Sequence, residues 1–385
     1  MMSTERVLFV DHTGQIGGAE LILLDVVDGR QQSSVFLFEP GPLGDALAKR
    51  RLNLIRSKWG SGLSQFRRDS SLLTAIPLAG RLAAIIVEIA RASRAHDIVY
   101  ANSQKAFVLA VIANAIVRRP LIWHLHDIIS SDHFGAAQRR MQVLLANACA
   151  RKVIVPSEVA AEAFVAAGGR RDLVQVVPNG LSIEPDPNSP GELRQRLGLP
   201  AGPLVGVFSR LAAWKGQHVL LQALAELPGV NCIIVGDALF GETEYAAQLA
   251  QLVAELGLRD RVRFLGHRDD VPKLMKAVDV MVHPSIDPEP FGRTLVEAML
   301  AGVPVVATNA GAAPDILEGG KAGTLVPPGD PHALAGALAA VLAKPEQLAT
   351  QLDYASGRAR VHYSLKRMLD SIGLVISKVQ AGAAA

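Results

Sequence analysis

The chain has 385 residues, 50% of them hydrophobic and 19% charged, which is longer than one hydrophobic core ordinarily supports and rich enough in apolar residues for two. Its two cysteines, Cys149 and Cys232, argue against a disulfide framework, and a net charge of +3 with 5% aromatic residues and no recognisable reading module argues against nucleic-acid binding. The most apolar stretches, Leu72 to Ala90 and Ala106 to Val117, are respectively interrupted by Arg81 and too short to span a bilayer, so any membrane contact is expected to be peripheral.

The opening MMSTERVLFVDH places Glu5 and Arg6 before a short strand-like run and has no long apolar signal segment, which predicts a cytoplasmic protein. Short apolar runs then alternate with longer helical patterns, the signature of parallel sheets covered by helices. In the first half strands are expected at Arg6–Val10, Val35–Phe38, Asp97–Tyr100, Leu121–His124, Lys152–Val155 and Gln175–Val177. Helices fit between them at Ala19–Val27, Leu43–Arg50, Ala75–Ala92, Lys105–Val117 and Ala137–Ala148. The polar run Pro185–Pro190 reads as a linker. A second series follows, with strands at Val205–Phe208, Cys232–Val235, Val262–Phe264, Val280–His283, Val305–Ala307 and Thr324–Val326 and helices such as His218–Leu227 and Tyr245–Leu256. Arg358–Val379 then reads as one amphipathic helix, which either returns to the first domain or covers the second.

Charge is distributed unevenly. Residues 1–190 hold 21 Lys/Arg against 17 Asp/Glu, the remainder 18 against 19. The run from Lys49 to Arg68 contains seven of these cations and no acid, with Leu52, Leu54, Trp59, Leu63 and Phe66 interleaved. That composition fits an anionic membrane surface, a groove for an acidic glycan or phosphorylated carrier, or a solvated face whose apolar residues turn inward.

Open parallel sheets bind ligands beyond the carboxyl ends of their strands, so the loops there carry the candidate chemistry. In DHTGQIGGAE, Gly17 and Gly18 precede a helix whose unpaired N–H groups would favour a phosphate or another negative group. In WHLHDII, His124, His126 and Asp127 end a strand. No further ligand at metal-site spacing follows, with His133 adding little, so no metal site is expected and His126 is the candidate for a hydrogen bond to a sugar hydroxyl. In VFSRLAAWKGQ, Arg210 and Lys215 stand across a turn closed by Gly216, a pair of cations suited to a pyrophosphate. In HPSIDPEPFGRTLVEAMLAG, Glu289 lies on a loop and Glu297 in the first turns of a helix, where two carboxylates grip hydroxyl-bearing parts of one ligand while the N–H groups of Phe291, Gly292 and Arg293 face a phosphate between them.

With these residues the chain resembles the family 4 retaining glycosyltransferases of the GT-B fold, two Rossmann-like α/β domains facing each other across a cleft. The family's E-x7-E motif stands as Glu289 to Glu297, its basic pair as Arg210 and Lys215, its N-terminal glycine loop as Gly17–Glu20 and its active-site histidine as His126; VPSE (Val155–Glu158) and VPNG (Val177–Gly180) also match. The resemblance implies an acceptor-side domain over 1–187, a nucleotide-sugar donor domain over 188–357 and a terminal helix over 358–385. It further implies that Glu289 contacts the donor sugar, Glu297 the nucleotide ribose, and Arg210 with Lys215 the diphosphate. The co-substrate is then a UDP- or GDP-sugar, no metal is required, and the acceptor is a lipid-linked, polysaccharide or small-molecule hydroxyl, met in the cytoplasm or at the inner face of the membrane. The loop NAGAAPDIL departs from the family, with Asp315 where many relatives have glutamate. A glycosidase using both glutamates, a sugar-nucleotide epimerase and a non-catalytic sugar-nucleotide-binding subunit are the competing readings.

Overall fold

The computed structural model describes residues 5–60, 72–130, 134–183, 186–238 and 242–384. It separates into two compact units: one comprises the chain up to Gly180 together with the segment from Leu365 onward, the other Leu181–Ser364.

The first unit is built on a parallel seven-stranded sheet of β1 (Val7–Asp11), β2 (Ser34–Leu37), β3 (Asn53–Arg56), β4 (Ile98–Ala101), β5 (Leu121–His124), β6 (Ala150–Val155) and β7 (Val174–Val176), in the order β3-β2-β1-β4-β5-β6-β7. Both faces are covered, because the apolar residues of each strand alternate between two cores. Leu8 and Val10 pack with Phe107, Trp123 and Phe164, while Val7 and Phe9 pack with Ile22, Leu43 and Ile372. Phe107 stacks flat on Trp123, with ring centroids 4.2 Å apart, at the centre of the first of these cores.

The second unit repeats the plan with six parallel strands, β8 (Leu204–Phe208), β9 (Asn231–Val235), β10 (Val262–Gly266), β11 (Val280–His283), β12 (Val305–Thr308) and β13 (Thr324–Val326), ordered β10-β9-β8-β11-β12-β13. In each sheet the order reverses once, between β1 and β4 and between β8 and β11. The crevice beyond the carboxyl ends of such a pair is where open α/β sheets take their ligands.

Twelve strands fall where the alternating apolar runs put them, and β3 is the strand that sequence reading missed. It is an edge strand, only half-buried, and it lies inside the basic run, so its residues lack the apolar signature. The run is therefore not one surface element. Lys49 ends the helix Pro42–Lys49, Leu52 is buried, Leu54 packs into the core and Arg56 pairs with Asp45 at 3.9 Å. Leu63, Phe66, Arg67 and Arg68 lie outside the described residues, as does His133.

The joins also differ from the positions read from sequence, which were 187/188 and 357/358. Asn188 and Ser189 are not linker: Ser189 caps the helix Pro190–Leu197 in a capping box with Glu192, so the polar run begins an element of the second unit. The expected helix over Arg358–Val379 is two helices, Ala349–His362 and Leu365–Ala384. Tyr363 is buried in the second unit and Leu181 donates to its carbonyl at 2.8 Å, which holds the break. The last helix then buries the stripe Met368, Ile372, Val375, Ile376 and Val379 in the first unit.

That stripe makes the terminal helix part of the first core. Ile372→Ala should destabilise the protein by about 2–5 kcal/mol. Leu374→Ala, at an exposed position of the same helix, should cost less than about 0.5 kcal/mol. Urea titration of the two variants checks this, and equal small losses would show that the helix does not carry core packing.

Candidate donor and acceptor sites

In the second unit the site forms where β8 and β11 diverge. After β8 the chain runs through Ser209 and Arg210 into a short turn over Ala213–Lys215, then into the helix Gln217–Ala225. Gly216 joins the two in the left-handed region (φ 70°), and a Cβ there would sit 1.9 Å from the Pro284 carbonyl oxygen. Only glycine lets this turn lie against the loop after β11. Ile286 in that loop donates to the Trp214 carbonyl at 2.9 Å, which pins the two loops together.

The consequence is a buried ion pair. Lys215 Nζ lies 2.7 Å from Glu289 Oε2, with both side chains nearly enclosed. The other carboxylate oxygen, Oε1, takes His283 Nε2 at 2.9 Å and the Ser285 hydroxyl. Burial disfavours the charge on Glu289, yet Lys215 and His283 outweigh it and hold the carboxyl well below its usual range. Lys215 also lies over the Trp214 ring, 4.4 Å from its centroid, and Arg210 over the same ring at 5.2 Å. Arg210 reaches Glu242 at 3.4 Å.

Glu289 is held from behind as well. Ala312 donates to its carbonyl at 3.0 Å, and Gly311 packs so tightly that a Cβ would come within 2.3 Å of the Glu289 nitrogen. Asp315, the family departure, is exposed in the helix Ala313–Ile316 that follows. Beyond Phe291, which is buried against Tyr363, Gly292 (φ 100°) begins the helix Arg293–Ala301 without a side-chain cap. The first turn of that helix is closed by Leu295, whose N–H donates to the Gly292 carbonyl at 3.0 Å, and the N–H groups ahead of it precede any i−4 carbonyl of the helix. Glu297 sits one turn in, raised above its usual pKa by burial while Arg293, 2.8 Å away, opposes the shift. Nη1 of Arg293 is enclosed with no hydrogen-bond partner among the described residues.

In the first unit the corresponding place is the divergence of β1 and β4. Asp11, fully buried at the end of β1, accepts from the His12 backbone N–H at 2.6 Å and from Asn102 Nδ2 at 2.7 Å. Asn102 Oδ1 lies 3.0 Å from His126 Nε2, just past β5. Burial pushes the His126 imidazole down to about 4, with Asp11 opposing, so the ring is neutral at pH 7. His124 is also held well below its usual range by burial, and its Nδ1 pairs with the Tyr100 hydroxyl at 2.7 Å. Asp127 is exposed and accepts from Gln104 Nε2 at 2.8 Å.

The glycine loop differs from its sequence-based reading. The helix Gly18–Val27 does start there, but the N–H of Gly17 is taken by the Glu20 carboxylate at 2.9 Å. Burial, then the nearby Asp11 charge, raises Glu20 to about 7. Two carboxyl groups therefore stand behind a loop that was expected to offer its N–H groups to an anion. The glycine that packing demands is Gly14, whose Cβ would lie 2.2 Å from the Pro40 carbonyl oxygen.

Within each unit the structure gathers part of the expected set: Lys215 with Glu289, Arg293 with Glu297, and His126 with the strand ends beside the glycine loop. Asp11, Asn102, His283 and Ser285 were missed, although ANS after β4 and HPS after β11 stand at loop positions where polar residues follow buried strands. Among the described residues no group of three or more His, Cys, Asp or Glu is arranged to hold a metal ion.

Residues 191–358 match the family described as glycosyl transferases group 1, and residues 26–180 match the glycosyl transferase 4-like domain. The 2-deoxystreptamine glucosyltransferase of Streptomyces kanamyceticus is 33% identical over 220 residues, 51% of this chain and 55% of that protein. The lipopolysaccharide core biosynthesis mannosyltransferase LpsB of Rhizobium meliloti is 30% identical over 228 residues, 56% of this chain and 65% of that protein. These matches thus span less than two thirds of either relative. The crystal structure of Anabaena HepE in complex with UDP-glucose is similar over 97% of this chain and 100% of that one, at 39% identity and a TM-score of 0.88. Sucrose-phosphate synthase from Thermosynechococcus elongatus, at 21% identity and a TM-score of 0.80, shares the fold. Two Rossmann-like parallel-sheet units, both family matches and the full-length likeness to HepE place this chain in the family 4-type glycosyltransferases of the GT-B fold.

Proposed function

We propose that the protein is a retaining glycosyltransferase that moves a hexose or related sugar from a uridine diphosphate sugar to an acceptor hydroxyl. The observation that carries this reading is the buried Lys215–Glu289 pair beside Arg210 and the uncapped start of the helix Arg293–Ala301. A uridine nucleotide is favoured over a guanosine one by the likeness to HepE, which was solved with UDP-glucose.

In this reading Arg210, Lys215 and the N–H groups at Phe291, Gly292 and Arg293 receive the diphosphate, Glu289 grips the donor sugar and Glu297 the ribose. As the bond from C1 of the sugar to the phosphate oxygen lengthens, negative charge grows on the leaving oxygens and the fixed cations act more strongly on the transition state than on the ground state. The acceptor oxygen forms its bond to C1 on the same face, and its proton passes to the departing phosphate oxygen. These cations supply the positive charge that the leaving group needs. His126 and the Gly17-Gly18 loop serve the reacting sugar from the acceptor-side domain. Glu289 cannot be the acid of a hydrolase, because it is ionised and engaged at both oxygens and has no proton to donate; free sugar released without dependence on an acceptor would favour the hydrolytic reading. An epimerase or a non-catalytic subunit of the same fold would show sugar interconversion without an acceptor, or no turnover at all.

The acceptor is proposed to be lipid-linked, as the names of the lipopolysaccharide and phosphatidylinositol mannoside transferases among its relatives imply for those proteins. In this reading the protein works as a peripheral protein at the cytoplasmic face of a membrane. Among the described residues no helix is long and apolar enough to cross one. Trp59 is 50% exposed and forms a groove with Lys58 and with Val87, Glu88 and Arg91 of the helix Leu72–Ser93, an apolar anchor flanked by two cations and one carboxylate that is engaged by Ser57.

Two tests follow. Lys215→Ala should lower kcat by about 10²–10³-fold and also destabilise the fold, since Glu289 is left buried without its cation. The double variant Lys215→Met with Glu289→Gln should recover the stability without the activity, and a Lys215→Ala enzyme with full turnover on its donor would overturn the assignment. For the surface, the protein should sediment with phosphatidylserine vesicles at low salt and not with phosphatidylcholine vesicles, and Lys58→Glu with Trp59→Ala should abolish this. Equal behaviour toward both lipids would remove the membrane from the account.

A further inference from the structure

Behind His126 stand two polar side chains that the proposed reaction does not use. Asn102 is fully buried between Asp11 and His126, and its two amide ends are not interchangeable. Three donors converge on Asp11: the His12 backbone N–H at 2.6 Å, the His12 ring at 3.3 Å and the Asn102 amide at 2.7 Å. Burial opposes its charge, but these donors prevail and keep the carboxyl below its usual range. An ionised carboxylate only accepts hydrogen bonds, so the NH2 end of Asn102 has to face Asp11. Its carbonyl oxygen is thereby turned to His126 Nε2, 3.0 Å away.

A carbonyl oxygen also only accepts. The neutral His126 ring must then carry its single proton on Nε2, which leaves Nδ1 with a lone pair. We infer that Asp11 and Asn102 are positioning residues that lock His126 in the Nε2–H tautomer, so that the ring meets the substrate as a hydrogen-bond acceptor and requires a hydroxyl there. The inference rests on the proposed function for its substrate, and for its tautomer on the Asp11–Asn102–His126 contacts together with an ionised Asp11 and a neutral ring.

The arrangement explains why two buried polar groups persist at the place where the first sheet reverses its order. A chain of one carboxylate, one amide and one imidazole has a single polarity set at its charged end, whereas a chain ending in a neutral amide has two. An apolar replacement of Asn102 would leave both Asp11 and His126 short of a partner.

The full-length protein, labelled with 15N at its histidines, gives the test. His126 is identified by the resonances lost in His126→Gln. At pH 7 the wild-type ring nitrogens should report Nε2–H as the dominant form. Asp11→Asn, which keeps the shape and removes the charge, and Asn102→Ala should each produce a mixture of tautomers, lower kcat on the order of 10- to 100-fold and leave the donor KM within about twofold. A wild-type ring that is mainly Nδ1–H would overturn the inference, and that spectrum needs no variant to fold. A loss of kcat in either variant with an unchanged tautomer ratio would overturn it equally. If instead His126→Ala turned over at the wild-type rate, the substrate contact in the proposed function would fall while the tautomer assignment stood.

Discussion

The second unit is organised around a carboxylate that has been taken out of water. Moving Glu289 and Lys215 into a low-dielectric interior costs several kcal/mol per ion, and their mutual attraction offsets this only with good geometry and further hydrogen bonds. The loop after β11 supplies them: His283 and Ser285 hold one oxygen, Lys215 the other, while Gly311 and Ala312 fix the backbone from the loop after β12. Gly216 and Gly292 in the left-handed region are the places where the chain bends to allow it. Such a pair is a poor device for stability, since apolar residues of similar size would do as well. The proposed reaction, which needs a fixed cation for a diphosphate and a fixed anion for hydroxyl groups, would be a sufficient reason for it.

The first unit uses the opposite electrostatics. His124 and His126 are neutral because burial removes their charge, and the carboxylate nearest them, Asp11, is held ionised by neighbouring donors. Glu20, raised to about 7, is the counterpart on the glycine loop. Charge in the second unit suits the nucleotide diphosphate of the proposed reaction, and a neutral, directional set of donors and acceptors suits hydroxyl groups.

Much of the fold was legible because a strand buried on both faces reads as an unbroken apolar run, as β1, β4, β5, β8, β11 and β12 do, and the less buried β7, β10 and β13 still keep enough apolar residues to be read. The edge strand β3 did not, since Asn53 and Arg56 carry no such signal and a cluster of cations invited a different reading. The domain join was misplaced because proline, asparagine and serine mark helix caps as well as linkers, and the packing of Ser189 on Glu192 decides between them. In the site, residue types and local spacing pointed to Arg210, Lys215, Glu289 and Glu297. What they form was not legible: Lys215 and Glu289 are 74 residues apart, and Asp11 and Asn102 are 91 apart, so only the sheet order brings each pair together. On the glycine loop the sequence did not show that Glu20, one turn later, folds its carboxylate back onto the Gly17 N–H.

The central claim is that Glu289 serves the sugar while Lys215, held beside it, serves the diphosphate. Calorimetric titration of UDP into the wild type and Glu289→Gln, alongside turnover of a UDP-sugar by both, separates the two roles. Removing the carboxylate charge releases Lys215 toward the ligand, so UDP should bind at least as tightly to the variant while sugar transfer falls by about 10²-fold or more. A UDP affinity that drops in step with turnover would contradict the account, because it would make Glu289 part of the nucleotide site rather than of the sugar site.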